Sequence, residues 1–275
     1  MVQDAFTLNG QTVAITRPHD QAEQTGSLIK RYGAKPYFIP SIQIKPICDS
    51  SAVKNFVNEL ETNQITYILF MSINGVRHLL GCAEKLGLSS QLKDNLNRTI
   101  VMAVGPKTAQ ELTNSDITVG LVPEKYSSTG IIQCLKQRDV SNSLIYIPRT
   151  SGAAPDLANK LSNLGATVHE LYVYESLLPT DKDLNKKFLK DLKQGLIDAI
   201  IFGSSLSAKN LFTMLEPLIS KNKLRNILNK KLTIVAIGPV TAKTLLEMDL
   251  KVDVTPKTYL FEDALKALAQ FWADK

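Results

Sequence analysis

The feature that most constrains how this chain folds is an internal repeat at constant spacing. Arg17, in Ile-Thr-Arg-Pro, has a counterpart 132 positions on in Arg149 of Ile-Pro-Arg-Thr. Gly33-Ala34 recurs as Gly165-Ala166, and Phe70-Met71-Ser72 as Phe202-Gly203-Ser204, at the same offset. One inserted residue later, Val104-Gly105-Pro106-Lys107-Thr108-Ala109 returns as Ile237-Gly238-Pro239-Val240-Thr241-Ala242, and Tyr126 returns as Tyr259. Two like domains of roughly 130 residues are expected, with a ligand sought where the halves meet and where their symmetry fails.

Short runs rich in Val and Ile alternate with amphipathic stretches, the signature of an α/β layer structure. In the first half, strands are predicted near Thr12–Thr16, Lys35–Pro40, Thr66–Met71, Thr99–Val104 and Thr118–Val122. Helices are predicted at His19–Tyr32, Ser51–Glu61, Asn74–Leu86, Pro106–Thr113 and Ser128–Gln137. The second half retraces this order, with strands near Leu144–Ile147, Thr167–Tyr174, Ala199–Phe202, Thr233–Ile237 and Lys251–Val254. Its helices fall near Pro155–Asn163, Asp183–Gln194, Leu206–Leu215, Val240–Met248 and Phe261–Trp272. Each half thus reads as a five-stranded parallel sheet flanked by helices. Gly33 and Gly165 end the first helix of each half, as a left-handed cap requires. Proline-punctuated extended segments near 37–46 and 172–179 are the candidate interdomain crossings. They fit two continuous domains or a chain that leaves one domain and returns to it.

In doubly wound sheets ligands bind beyond the carboxyl ends of the strands, and the repeated motifs all fall there. Each Gly-Pro turn, at Gly105 and at Gly238, ends a strand and opens a helix with proline in its first turn, where the missing N–H costs nothing. Thr108 and Thr241 then lie among free backbone amides that attract an anion. Ser72 and Ser204 repeat the device as helix caps, and Ser205 places a second hydroxyl beside the latter. Arg17 and Arg149 stand just past the first strand of each half, placed to grip a carboxylate in two-point fashion. Taken singly, each is also ordinary structural punctuation; their joint recurrence favours a shared anion-binding role.

Symmetry breaking adds Tyr174, whose counterpart at the repeat offset is Ile42. A phenol keeps its proton at neutral pH and can pass it to a leaving group, although the residue by itself favours a packing role at an interface. Other chemistries find little support. Neither turn matches a P-loop or a Gly-x-Gly-x-x-Gly fingerprint, so no nucleotide cofactor is expected. His19, His78 and His169 are too scattered for a triad, and His78 reads as a surface or boundary residue in mid-helix instead of a base. No metal is expected, because Cys48, Cys82 and Cys134 show no metal-ligand spacing; they read as buried or idle thiols of a reducing cytoplasm.

The net charge of +6 is spread along the chain. Most of it reads as a solvated surface; it permits a polyanionic small molecule, whereas binders of nucleic acid cluster their charge and interleave aromatics. No apolar run of about 18 residues is present, so no membrane span is expected. Met1–Ala5 lacks the basic start of a signal peptide.

Taken together, the ordered and duplicated motifs resemble the uroporphyrinogen-III synthase family over nearly the whole chain. The resemblance rests on Ile15-Thr16-Arg17-Pro18, the Phe-x-Ser segments at Phe70 and Phe202, both Gly-Pro-x-Thr-Ala turns, and Val173-Tyr174-Glu175. It implies two similar α/β domains joined by a two-stranded linker, one formed by 1–40 plus 175–275 and the other by 42–172. It also implies a monomeric, cofactor-free cytoplasmic lyase of tetrapyrrole and haem biosynthesis. Its substrate would be hydroxymethylbilane, a linear polycarboxylate, with the preceding deaminase as a transient partner that hands it over. In the family's pattern Tyr174 matches the tyrosine that assists departure of the hydroxyl. Thr108, Thr241 and Ser72 match hydroxyls that contact the substrate, with Ser204 or Ser205 serving in the second half. The family's Phe-Thr-Ser reads Phe70-Met71-Ser72 here, which removes one hydroxyl and leaves the turn. The rival expectation is a non-catalytic two-domain module that binds a tetrapyrrole or another polyanion. A sugar-nucleotide transferase shares the two-lobed shape without identifiable nucleotide-positioning acids.

Overall fold

The computed structural model describes residues 7–62 and 64–275, with the backbone alone of residues 19–21. The acidic start Met1–Ala5 lies outside the described residues. The chain runs β1 (Thr12–Ile15), α1 (His19–Arg31), β2 (Lys35–Phe38), β3 (Gln43–Pro46), α2 (Ser50–Glu61), β4 (Ile65–Phe70) and α3 (Ile73–Lys85). It continues through α4 (Ser89–Leu96), β5 (Ile100–Ala103), α5 (Pro106–Asn114), α6 (Ser128–Lys136), β6 (Leu144–Thr150), α7 (Asp156–Ser162) and β7 (Thr167–Leu177). The last stretch holds α8 (Lys182–Gln194), β8 (Ala199–Phe202), α9 (Ser205–Leu215), α10 (Lys221–Lys231), β9 (Thr233–Ala236), α11 (Pro239–Glu247) and α12 (Phe261–Ala273).

Residue contacts divide the chain into two compact units, Met1–Gln43 with Leu177–Lys275, and Ile44–Ser176. In the first unit the sheet order is β2-β1-β8-β9, and every neighbouring pair is parallel. Val13, Ile15, Ala199, Ile201 and Val235 face a core completed by α1 and α12. Ala14, Ile200, Phe202, Ile234 and Ala236 face the other side, against α8, α9 and α10. Successive side chains of a strand alternate between faces, so strands buried on both sides read as continuous apolar runs. The second unit repeats the plan in the order β3-β7-β6-β4-β5, with α2 to α5 on one face and α6 and α7 on the other.

Neither unit corresponds to one sequence repeat. By the repeat offset β1 matches β6, β2 matches β7, β4 matches β8 and β5 matches β9. The order β2-β1-β8-β9 is therefore equivalent to β7-β6-β4-β5, and each sheet takes two strands from each repeat.

The expected fifth strand of each half requires correction. Residues 118–122 and 251–254 contribute only isolated bridges, Leu121 to Met102 and Val254 to Val235. The reason is the same in both units. The N–H groups of Gly120 and Leu121 both donate to the Val101 carbonyl, and those of Asp253 and Val254 both donate to Ile234. Two consecutive amides meeting on one acceptor turn the backbone out of the extended geometry that a ladder needs. The first unit's sheet thus has four strands, and the second reaches five only through β3.

Two further helices, α4 and α10, occupy equivalent places in the two repeats, each with a single buried leucine pair, Leu92 with Leu96 and Leu224 with Leu228. The reading of Cys48 and Cys82 as idle thiols is also overturned. Cys48, just before α2, forms a disulfide with Cys82 on α3, their Cα atoms 5.4 Å apart, and Cys134 is the free thiol. Gly33 and Gly165 take φ of 72° and 88°, the left-handed conformation that glycine adopts without steric cost. Among the described residues no helix is long and apolar enough to cross a membrane, and no group of His, Cys, Asp or Glu is arranged to hold a metal ion.

Candidate functional site

Tyr174 and Ser72, 102 positions apart in sequence, meet in the second unit with their hydroxyl oxygens 3.1 Å apart. A bulge in β7 makes this contact. Arg149 pairs with Tyr172 and Thr150 with Tyr174, so Val173 has no opposite number. A bulge bends its strand and re-aims the side chains that follow. Regular alternation would send Tyr174 to the same side as exposed Tyr172. Instead Leu171, Val173 and Tyr174 all enter the core that includes α3, and Tyr174 is only 7% exposed.

Ser72 is fixed by its place in the fold. It is the N-cap of α3, in extended backbone, and its Oγ accepts the Gly75 N–H at 3.1 Å. Gly75 is required there because an added Cβ would sit 2.7 Å from the Pro148 carbonyl oxygen of β6. The start of α3 is thus pressed against the strand beside β7, which brings the Ser72 hydroxyl to Tyr174. His78, one and a half turns further along α3, stacks on the phenol with ring centroids 5.4 Å apart at 39°. His78 is half-buried, as a boundary residue in mid-helix would be, and its contact with Tyr174 is what the sequence did not show. The available signal is its place in the row 75–78–82, between buried Gly75 and Cys82.

The two Gly-Pro turns have the same geometry in the two units. Gly105 and Gly238 are the N-caps of α5 and α11, at φ −174° and −173°, with proline following in each first turn. The next two amides have no acceptor within their helix. Thr108 and Thr241 are each 4% exposed. Among the described residues neither threonine hydroxyl has a hydrogen-bond partner. Each turn therefore places the threonine N–H, its hydroxyl and the positive end of a helix together, a combination that suits an anion.

The remaining candidates are held by the protein itself. Arg149 gives its guanidinium to Glu170, with Nη1 to Oε1 at 2.5 Å, and donates from Nη2 to the Ala154 carbonyl at 3.3 Å. Its Nε is enclosed without a partner, as is the neighbouring Thr150 hydroxyl. Tyr172 donates to the other oxygen of Glu170 at 3.1 Å, and this bond to a carboxylate raises the pKa of the phenol. Arg17 lies over the Phe261 ring at 4.9 Å, and burial lowers its pKa without removing its charge at neutral pH. Ser204 caps α9 in a reciprocal box with Ser207. Ser205 accepts from the Thr244 hydroxyl at 2.8 Å and donates to the Val240 carbonyl at 3.3 Å, which ties α9 to α11. Of the sequence-selected residues, only Tyr174 and Ser72 are in mutual side-chain contact.

Comparison with known proteins places the chain in a family. The family described as uroporphyrinogen-III synthase HemD matches residues 23–266. A uroporphyrinogen-III synthase of Chlorobaculum parvum is 29% identical over 265 residues, covering 94% of this chain and 98% of its own. The Synechococcus elongatus uroporphyrinogen-III synthase is 24% identical over 267 residues, covering 97% of each chain. Among solved structures, a mutant uroporphyrinogen III synthase of the extremely thermophilic bacterium Thermus thermophilus superposes with a TM-score of 0.68 at 22% identity, covering 97% of this chain and all of the other. The enzyme of Helicobacter pylori superposes with a TM-score of 0.59 at 18% identity, covering 94% of this chain and 99% of its own. At these identities the superpositions establish the fold, and the family match over most of the chain establishes kinship: this protein belongs to the uroporphyrinogen-III synthase family.

Proposed function

We propose that this chain is a cofactor-free lyase that cyclises hydroxymethylbilane to uroporphyrinogen III, losing water and inverting the last pyrrole ring. The observation that carries this reading is the contact between Tyr174 and Ser72. Ser72 already accepts the Gly75 N–H, and its own proton is free to donate to the phenol oxygen. The phenol proton then points away from Ser72 and is available to a leaving group. Tyr174 passes it to the terminal hydroxyl of the substrate, and the C–O bond breaks with its electron pair leaving as water. The adjacent pyrrole nitrogen stabilises the resulting cation. A ring carbon of the last pyrrole attacks it, and after rearrangement the proton lost from carbon restores the phenol.

Strong acid–base machinery is unnecessary for such a substrate, which cyclises by itself without inversion. The protein's work is to hold one folded geometry. We assign the carboxylate contacts to the turns at Gly105 and Gly238, with Thr108 and Thr241, and to Arg17. Arg149 joins them when a substrate carboxylate displaces Glu170. Ser204 and Ser205 serve through the backbone turn they stabilise. The reading carries with it two similar domains joined by the extended segments at β3 and β7, a monomeric cytoplasmic enzyme, and transient receipt of substrate from the preceding deaminase. The non-catalytic binding module is not favoured, since the family match names a synthase.

The test is the isomer ratio formed from fresh hydroxymethylbilane, measured by chromatography after oxidation of the products. Predominantly type III product is expected. Type I product alone, equal to a protein-free control, would overturn the reading.

A further inference from the structure

Tyr174 enters the core just past the bulge in β7, and α3 touches it at two places. Ser72, the N-cap of α3, meets the phenol oxygen at 3.1 Å. His78, six residues further along the same helix, lies against the ring, with centroids 5.4 Å apart and planes tilted by 39°. His78 is not there to complete the core. Val76 and Leu79, its neighbours on α3, are fully buried, whereas His78 is half-buried at the edge of their face. A leucine would fill such a boundary position at least as well and has the better helix propensity. What an imidazole adds is a flat face, and that face meets Tyr174.

The contact controls one motion. A phenol oxygen lies on the axis of the Cβ–Cγ bond, so flipping the ring leaves it where it is. Only a swing of the whole ring, about χ1 or with the bulged backbone, carries the oxygen off Ser72. The backbone restrains that swing less than a regular strand would, since the bulge leaves Val173 unpaired on the β6 side. Ring against ring bars the swing, and the Ser72 hydroxyl then holds the oxygen. The restraint matters to rate, because misplacing a reacting group by about 1 Å can cost about 100-fold.

Resting on the reading of Tyr174 as the proton donor, we propose that His78 is a positioning residue for this reaction. Its ring holds the Tyr174 phenol against Ser72, so that the phenol proton is aimed at the departing hydroxyl. His78 acts through Tyr174 alone. The contact is made by the face of the ring, and the charge of the imidazole plays no part.

The experiment compares His78→Leu and His78→Phe, each with Tyr174 intact and with Tyr174→Phe, which keeps the ring and loses the hydroxyl. Initial rates of type III product from fresh hydroxymethylbilane separate kcat from KM. His78→Leu is expected to lower kcat about 2- to 10-fold, the worth of one aromatic pair, with KM little changed. His78→Phe should recover most of that loss. With Tyr174→Phe in place, His78→Leu should lower kcat no further, because no phenol remains to be aimed. A loss carried by KM, a loss that persists without the Tyr174 hydroxyl, or an equal loss in the Phe variant would overturn the proposal. A second readout needs no turnover. The stability coupling between Ser72 and Tyr174, from a double-mutant cycle in urea, should be largely lost in the His78→Leu background and kept with Phe. An undiminished coupling would overturn the proposal as well. The isomer ratio of the wild type separates this proposal from the reading it rests on. If the wild type forms only type I product, the synthase reading fails, and the coupling still decides whether His78 holds the phenol.

Discussion

Replacing Tyr174 by Phe and Ser72 by Ala, singly and together, separates what each hydroxyl contributes. Tyr174→Phe removes one hydrogen bond, 3.1 Å long, from a side chain that is 7% exposed. Loss of such a bond costs about 1 kcal/mol. Ser72→Ala removes the same bond and also the cap on the Gly75 N–H, which adds about 1 kcal/mol more. The double variant loses the cap and the bond once each, so it should be no less stable than Ser72→Ala alone. A double-mutant cycle should therefore return a coupling of about 1 kcal/mol. Urea denaturation followed by circular dichroism measures it, with each unit fitted as its own transition. Additive losses would refute the claim that the two hydroxyls are bonded to each other. Activity gives a separate readout. Tyr174→Phe should lower kcat more than it weakens binding of uroporphyrinogen III, and equal losses in both would make the tyrosine structural. Because positioning carries most of the rate, the expected loss of kcat is partial.

Three other outcomes follow from the packing. Within α3, Gly75→Ala puts a methyl 2.7 Å from the Pro148 carbonyl and should cost about 1–3 kcal/mol, whereas Gly81→Ala meets nothing within 4 Å and should stabilise by about 0.5–1 kcal/mol; thermal melts that rank them the other way would refute the close approach of α3 to β6. Thiol titration of the unfolded, unreduced protein should find one reactive group, Cys134, and three after reduction, and three before reduction would dissolve the Cys48–Cys82 bridge. Breaking that bridge, whose cysteines are 34 positions apart, should cost about 3–4 kcal/mol in the chain-entropy account, read from the denaturation midpoint of Cys48→Ser.

Much of the fold was legible because its signals are local. Runs such as Ile65–Phe70 and Ala199–Phe202 are rich in apolar residues throughout, and such runs form strands buried on both faces. Proline after glycine at Gly105 and Gly238, and serine at Ser72 and Ser204, mark helix starts by capping chemistry that acts within four residues. The failures were equally physical. The stretches at 118–122 and 251–254 have strand-like composition, yet their consecutive amides converge on one carbonyl, a matter of backbone path that side-chain pattern does not encode. Cys48 and Cys82 carry no spacing signal, because their proximity depends on how the segment after β3 lies beside α3.

The repeat itself pointed to two like sheets, their helices and the Gly-Pro turns that each carries, since all of these follow from short-range patterning written twice. Tertiary structure decided how the repeats are shared. Parallel pairing is satisfied when β1 joins β8 instead of β4, and so each sheet draws two strands of its repeated set from each repeat. It also decided the meeting of Tyr174 with Ser72 and His78. Regular alternation along β7 would place Tyr174 on the side of exposed Tyr172, and the bulge at Val173 turns it inward. A bulge is settled by which residues the neighbouring strand offers across the ladder, and those lie on β6, a separate strand of the sheet.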